Sequence, residues 1–324
     1  MNDFDNNKRL DDEIVFKELV TLLWLNKKFI VILTSFFALV SVLYSLSITN
    51  LYTAQTLIAP TSSSVNSSSL SQFSGLASMA GINLPQTGGE NQVDVALNLV
   101  NSKKLLDRLM LYESFLPDLI AAKSWNMQTN TVTYYPDLYD KKNNQWVREV
   151  SLPYKQIPSS QEALKIFSDL VSISQDKKTQ LIALKVSHLS PVVAQQWSFW
   201  ILKETNAILA NMQIIKSQAS IDYLNSQIKI TPYSELRTMF YALIQESTKS
   251  MMLAKVNPEY VMTTIDPPVI PEMKSQPKRA VICILGALLG GMLSIFIILI
   301  LKYGFNRDDE LDILKLLKSL RQKF

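Results

Sequence analysis

The sequence predicts an α+β membrane protein in which two transmembrane helices flank an exported body of helices and a few strands, one helix far longer than the rest. Three observations carry this. Two windows are apolar and uncharged for the width of a bilayer, no glycine occurs from Glu90 to Leu285, and the 39 residues from Val192 to Ile230 contain neither glycine nor proline.

The spans account for the 48% hydrophobic content of the 324-residue chain. Phe29 to Ile48 gives 20 residues without a charge and Ala280 to Leu301 gives 22, each enough at about 1.5 Å per residue to cross roughly 30 Å of hydrocarbon. The first reads as an uncleaved anchor. Its apolar core exceeds that of a signal peptide, 28 residues precede it, and its exit, SITNLYTAQ, lacks a small-x-small cleavage site. Positive flanks stay cytoplasmic: five Lys and Arg precede the first span, six follow the second, and Leu51 to Ser102 hold none. The expected division is therefore a cytoplasmic segment 1–28, a span 29–48, an exported domain 49–279, a span 280–301 and a cytoplasmic tail 302–324. Lys274, Lys278 and Arg279 run against this rule at the outer end of the second span, where Lys278 and Arg279 fit as a collar that meets lipid phosphates or snorkels.

The exported region is nearly balanced in charge, with 21 basic and 18 acidic residues, which argues against a nucleic-acid surface. The single cysteine, Cys283, falls inside the second span, so no intrachain disulfide or cysteine metal site is available.

Along that region, Tyr52 to Pro60 alternates and is rich in β-formers, predicting a strand that ends at a proline. TSSSVNSSSLSQFS, with eight serines in fourteen residues, predicts a mobile loop; the Asn66 sequon within it reads as chance. Val93, Leu97, Val100, Leu105 and Leu109 recur at helical spacing and predict one helix to about Leu111. Trp125 to Pro158 reads as irregular chain with a short strand. Ser159 caps a helix to about Val171, and 171–175 and 181–187 predict a strand pair around the DKKT turn. Ser190 and Pro191 open the long helix, whose face Val193, Trp197, Trp200, Ile208, Met212, Ile215 and Ala219 runs along a rod of about 60 Å. Such a rod should project from the membrane or pack against other copies. Pro232 breaks it, and a helix from Tyr233 to about Ala254 leads back.

Beyond these elements, Pro267, Pro268, Pro271 and Pro277 should hold Ile265 to Gln276 extended, as a rigid strut into the second span. In that span Gly286, Gly290 and Ser294 share one helical face and allow close backbone approach, predicting helix association. No nucleophile has a matching base, His188 is the only histidine and suits a structural hydrogen bond before Pro191, and G-x-x-x-x-G-K-[ST] is absent. Asp308, Asp309 and Glu310 read as a solvated tail. No cofactor or metal is expected.

Together these features resemble the Wzz-type chain-length determinants, the polysaccharide co-polymerases of Gram-negative inner membranes, whose signature is P-x2-P-x4-S-P-K-x11-G-x3-G. Pro268, Pro271, Pro277, Lys278 and Gly290 match it, while Gln276 stands for the serine and Ser294 for the last glycine. LYTAQTLIAP, SGLASMAGINLP, LYDKKNNQWVREV and SELRTMFYALIQESTKSMMLAKVNPEYVMTTIDP add to the likeness. The resemblance implies a membrane-proximal α/β base, a long helix reaching into the periplasm, and a homo-oligomeric ring. It implies no enzyme activity. The chain would set the modal length of a lipid-linked O-antigen or related glycan that a separate polymerase of the same membrane builds. Two other readings share the topology: a two-span sensor, which needs a cytoplasmic output that segments of 28 and 23 residues do not hold, and an anchored periplasmic glycan hydrolase using two of the scattered carboxylates.

Overall fold

The computed structural model describes residues 21–61 and 89–303. The serine-rich loop with Asn66, SGLASMAGINLP, most of the N-terminal segment and the tail with Asp308, Asp309 and Glu310 lie outside the described residues. In chain order the elements begin with helix α1 (Lys27–Ser47), strand β1 (Tyr52–Pro60) and helices α2 (Gly89–Val100), α3 (Lys103–Leu109) and α4 (Phe115–Ile120). Strands β2 (Ala122–Asn126), β3 (Thr131–Tyr134), β4 (Tyr139–Asp140) and β5 (Gln145–Trp146) follow. Then come α5 (Ser160–Leu170), β6 (Val171–Gln175), β7 (Ile182–His188), α6 (Pro191–Ile230), α7 (Ser234–Val256), β8 (Met262–Asp266) and α8 (Arg279–Tyr303).

These form two units, one of 1–49 with 276–324 and one of 50–275. In the first, α1 and α8 are each long and apolar enough to cross a membrane. The second is built on a four-stranded antiparallel sheet in the order β6-β7-β1-β8. Its register runs from Tyr52 opposite His188 to Ile58 opposite Ile182, and β8 joins β1 with a bulge at Leu57 and Ile58. The period of two places Ala54, Thr56, Ile58, Ile182, Leu184, Val186 and His188 on the buried face, with Gln55 and Lys185 outward. Helices α5 and α6 pack on the sheet. Trp197 of α6 is fully buried between Phe115 and His188, whose rings lie 4.7 and 5.0 Å from its own.

Capping sets the helix starts. The Ser159 and Ser190 hydroxyls accept from Glu162 N and Val193 N, and Pro191 occupies the first turn of α6, where a missing N–H costs nothing. The 40 residues of α6 run unbroken to Ile230, and α7 packs back along it after Pro232.

Three expectations change. The helix expected from Val93 to Leu111 is two, because Ser102 accepts from Leu105 N and caps a new start. That break turns Leu99 and Val100 of α2 and Leu105, Leu106 and Leu109 of α3 into one core. The stretch expected to be irregular holds two hairpins, β2–β3 and β4–β5. Asparagine makes their turns: Asn126 Oδ1 accepts from Gln128 N and Thr129 N, and Asn130 and Asn144 take φ of 50° and 52°, a conformation asparagine tolerates better than most residues. Finally, the apolar face of α6 is buried only in its first half. Val193, Trp197 and Ile208 sit in the core, whereas Met212, Ile215 and Ala219 are exposed.

Candidate functional site

Sequence points to the proline segment, and the structure shows how its first part is held. Asn206, buried on α6, accepts at Oδ1 from Val261 N and Met262 N and donates from Nδ2 to Met262 O, at 3.0 to 3.1 Å. One side chain thus satisfies three backbone groups at the start of β8 and fixes the strand to the long helix. Three turns earlier on α6, Gln195 Nε2 donates to Pro268 O at 3.0 Å. At the far end, Ser275 Oγ accepts from Thr53 N at 2.8 Å while Ser275 N donates to Leu51 O at 2.9 Å. Pro267, Pro268 and Pro271 therefore lie, outside helix and strand, in a segment bonded to α6 on one side and to the start of β1 on the other. Proline supplies no N–H, so the protein holds this segment through carbonyls and neighbouring side chains. Gln195, Asn206 and Ser275 are the residues that sequence reasoning missed. The signal was faint: a buried asparagine on an apolar helix face is unusual unless paired.

Pro277 and Lys278 lie in the helix-pair unit, where Lys278 O accepts from Val281 N and Ile282 N and starts α8. Gly286, Gly290 and Ser294 do share one face, and that face meets α1 of the same chain. A Cβ at Gly286 would meet the Ser41 side chain, its Oγ 2.6 Å away. At Gly290 it would stand 2.7 Å from Phe37 Cβ and 3.2 Å from Thr34 Cα. Rising numbers on α8 meet falling numbers on α1, so the pair is antiparallel. Ser294 is buried and donates to Gly291 O at 2.7 Å, and Ser41 donates to Ala38 O at 2.8 Å. Both hydroxyls are thus satisfied within their own helices, which leaves the contact to close packing of small residues. The facing residues of α1, Thr34, Phe37 and Ser41, repeat at three and four residues, two of them small and the third an aromatic ring that the missing side chain of Gly290 makes room for.

His188 takes the structural role expected of it. Its Nδ1 accepts from Ser190 N and its Nε2 donates to Asp118 O, both at 3.0 Å. Burial lowers its pKa, so the ring is neutral. Asp118, also in the core, accepts from Tyr134 OH at 2.7 Å; burial raises its pKa and that of Tyr134. On α6, Glu204 receives Arg108 Nε at 3.0 Å and Tyr112 OH at 2.9 Å, and the Tyr112 ring stacks on Trp200. Arg148 forms a two-pronged pair with Glu162 and also donates to the carbonyls of Lys155 and Gln156. Each of these polar groups is spent on tying elements together.

Fold and site define a two-helix membrane-type protein whose middle segment is a mixed helix and strand body carrying one very long helix. Residues 12–113 match the Wzz family model, described as chain length determinant protein, which bears out the resemblance drawn from the sequence. A structure described as a full-length bacterial polysaccharide co-polymerase aligns with 86% of this chain and 95% of its own, at 15% identity and a TM-score of 0.31. A fragment of WzzB, a polysaccharide co-polymerase from Salmonella Typhimurium, aligns with 70% of this chain and 100% of its own, at 13% identity and a TM-score of 0.28. No curated protein matches.

Proposed function

We propose that this chain is a non-enzymatic regulator of polysaccharide chain length in a bacterial inner membrane. Both termini lie in the cytoplasm and residues 49–279 in the periplasm. A homo-oligomeric ring of these chains acts on a separate polymerase of the same membrane, and sets the modal number of repeats in a lipid-linked O-antigen or related surface glycan. The family match supports chain-length regulation. The observation that carries the mechanism is the proline strut: Pro267, Pro268 and Pro271 lie in a segment latched to α6 at Asn206 and Gln195 and to β1 at Ser275. A segment held at both ends transmits displacement instead of absorbing it, so movement of α6 passes to Pro277, Lys278 and the second span.

The test is genetic. Deletion of the gene should collapse the modal band of surface polysaccharide to an unregulated ladder, and the wild-type gene should restore it. A Pro268→Ala, Pro271→Ala double variant, expressed to the same level, should restore a band shifted in length. An unchanged ladder on deletion would overturn the function; a normal band from the double variant would reduce the strut to a linker.

A further inference from the structure

We infer that the rod formed by α6 and α7 is hinged part-way along. A polar waist, Ser217 and Ser220 on α6 against Glu246, Ser247 and Ser250 on α7, separates two apolar blocks that move as distinct bodies. The hairpin connection gives the pairing. α6 ends at Ile230 and α7 begins at Ser234, and α7 packs back along α6, so residues equally far from Pro232 face each other. Ser217 thus stands opposite Ser247, Leu224 opposite Phe240, and Ala210 opposite Ala254.

Burial follows this pairing. On the side of the sheet, Ala254 lies in the core with Ile208 and Leu209, and Ile214 is the last apolar side chain of α6 packed on it. Towards the turn a second block forms, in which Met239 and Phe240 are buried at 5% and 6% exposure and Ile221, Leu224 and Leu243 are half-buried. Between Ile214 and Ile221 lies about 10 Å of helix. Its inward positions on α6 are Ser217, 3% exposed, and the half-buried Ser220, and α7 faces them with Glu246, Ser247 and Ser250, all half-buried.

Three properties make this layer the weak point of the rod. Serine buries almost no apolar surface, so the packing that stabilises a helix pair is missing here. The hydroxyls bond within their own helix instead of across the pair: Ser217 Oγ accepts from Gln213 Nε2 at 3.1 Å, and Ser220 Oγ donates to Lys216 O at 3.0 Å. Glu246 Oε1 is buried with no hydrogen-bond partner among the described residues. Closing the pair at this level strips a carboxylate oxygen of water without giving it a donor, and opening restores that water. Ser247, Thr248 and Ser250 are also poorer helix formers than the leucines and alanines on either side. The waist therefore opens locally while the block on each side of it stays paired.

The experiment is amide hydrogen exchange, read by mass spectrometry on the full chain in detergent. A helical hairpin that merely frays loses protection steadily towards its turn. The hinge predicts a minimum before it: amides of 215–220 and 246–250 should exchange about tenfold faster than those of 222–228 and 236–243, although the latter lie nearer the turn. Glu246→Leu, which fills the waist with an apolar side chain, should slow exchange at the waist severalfold and leave 222–228 unchanged. Glu246→Gln, which removes the charge at nearly constant size, serves if the leucine variant fails to assemble. Protection that falls steadily from 209 to 228 would overturn the inference. So would waist exchange that neither substitution slows, since the polar layer would then not be its cause.

Discussion

Asn206 and Gln195 work because each supplies a partner to backbone groups at the two ends of β8, Asn206 at its start and Gln195 where it gives way to proline. His188 does the same at the other end of the sheet, joining the carbonyl of Asp118 to the first turn of α6 through Ser190 N. Its neutral ring makes a pH prediction. Because burial holds its folded pKa below the ordinary value of 6.5, the unfolded chain binds the proton more readily. This contribution is therefore present above pH 6.5 and is lost as pH falls from there through the folded pKa. Asp118, raised from 3.8 by burial, acts with the opposite sign over a window that runs upward from pH 3.8, so a variant at His188 is what separates the two. The melting temperature of the purified protein should fall on acidification below pH 6.5, and His188→Gln, which keeps a donor and an acceptor, should flatten that slope. Parallel curves for the two proteins would show that the ring does not govern acid stability.

At the scale of elements, the pairing of α1 with α8 rests on the absence of two side chains. Gly290→Leu would drive a branched side chain into Phe37 and the Thr34 backbone, and overpacking of this kind costs about 1–3 kcal/mol. A Cβ at Gly291 would lie 3.9 Å from Thr34 Oγ1, so a Thr34→Cys, Gly291→Cys pair in a Cys283→Ala background should cross-link readily within one chain. Adding Gly290→Leu should slow that cross-link severalfold; an unchanged rate would mean that the helices pair by another face. The glycine face was legible in the sequence because its spacing is helical, but its partner was not, since a stripe of small residues does not say whether it meets its own chain or another. The same asymmetry holds in the sheet and helices. Tyr52 to Pro60, the Ser159 and Ser190 caps and the start of α6 at Pro191 were readable from alternation and capping chemistry. The split at Ser102 was not, because Leu105 and Leu109 continue the helical period across it. The hairpins between Ala122 and Trp146 were hidden for another reason: their turns use asparagine in a stretch where the lack of glycine suggested none. The latches at Gln195 and Asn206 were out of reach, for they join residues 73 and 56 positions apart.

For the body between the spans, the telling feature is where α6 ceases to be buried. Up to Leu209 it supplies much of the core, and beyond it only Ser217 is buried, although α7 lies alongside. The remaining face keeps large apolar side chains in the open: Ile215 is 62% and Tyr223 63% exposed, and Ile230 and Tyr233 are exposed where the two helices join. Single exposed apolar residues are ordinary, but a row of them along one rod marks a surface that meets protein. The proposed ring supplies that protein as further copies of the same chain. Ile215→Arg with Tyr223→Arg places two charges on this row. Because both positions are exposed, each substitution should change the stability of a single subunit by no more than about 0.5 kcal/mol. The mass of the detergent-solubilised assembly, measured by native mass spectrometry, should fall towards that of smaller oligomers while the melting temperature of the base stays near wild type. A full-sized assembly from the double variant would take the ring contacts away from this half of α6 and leave them to the base and the spans.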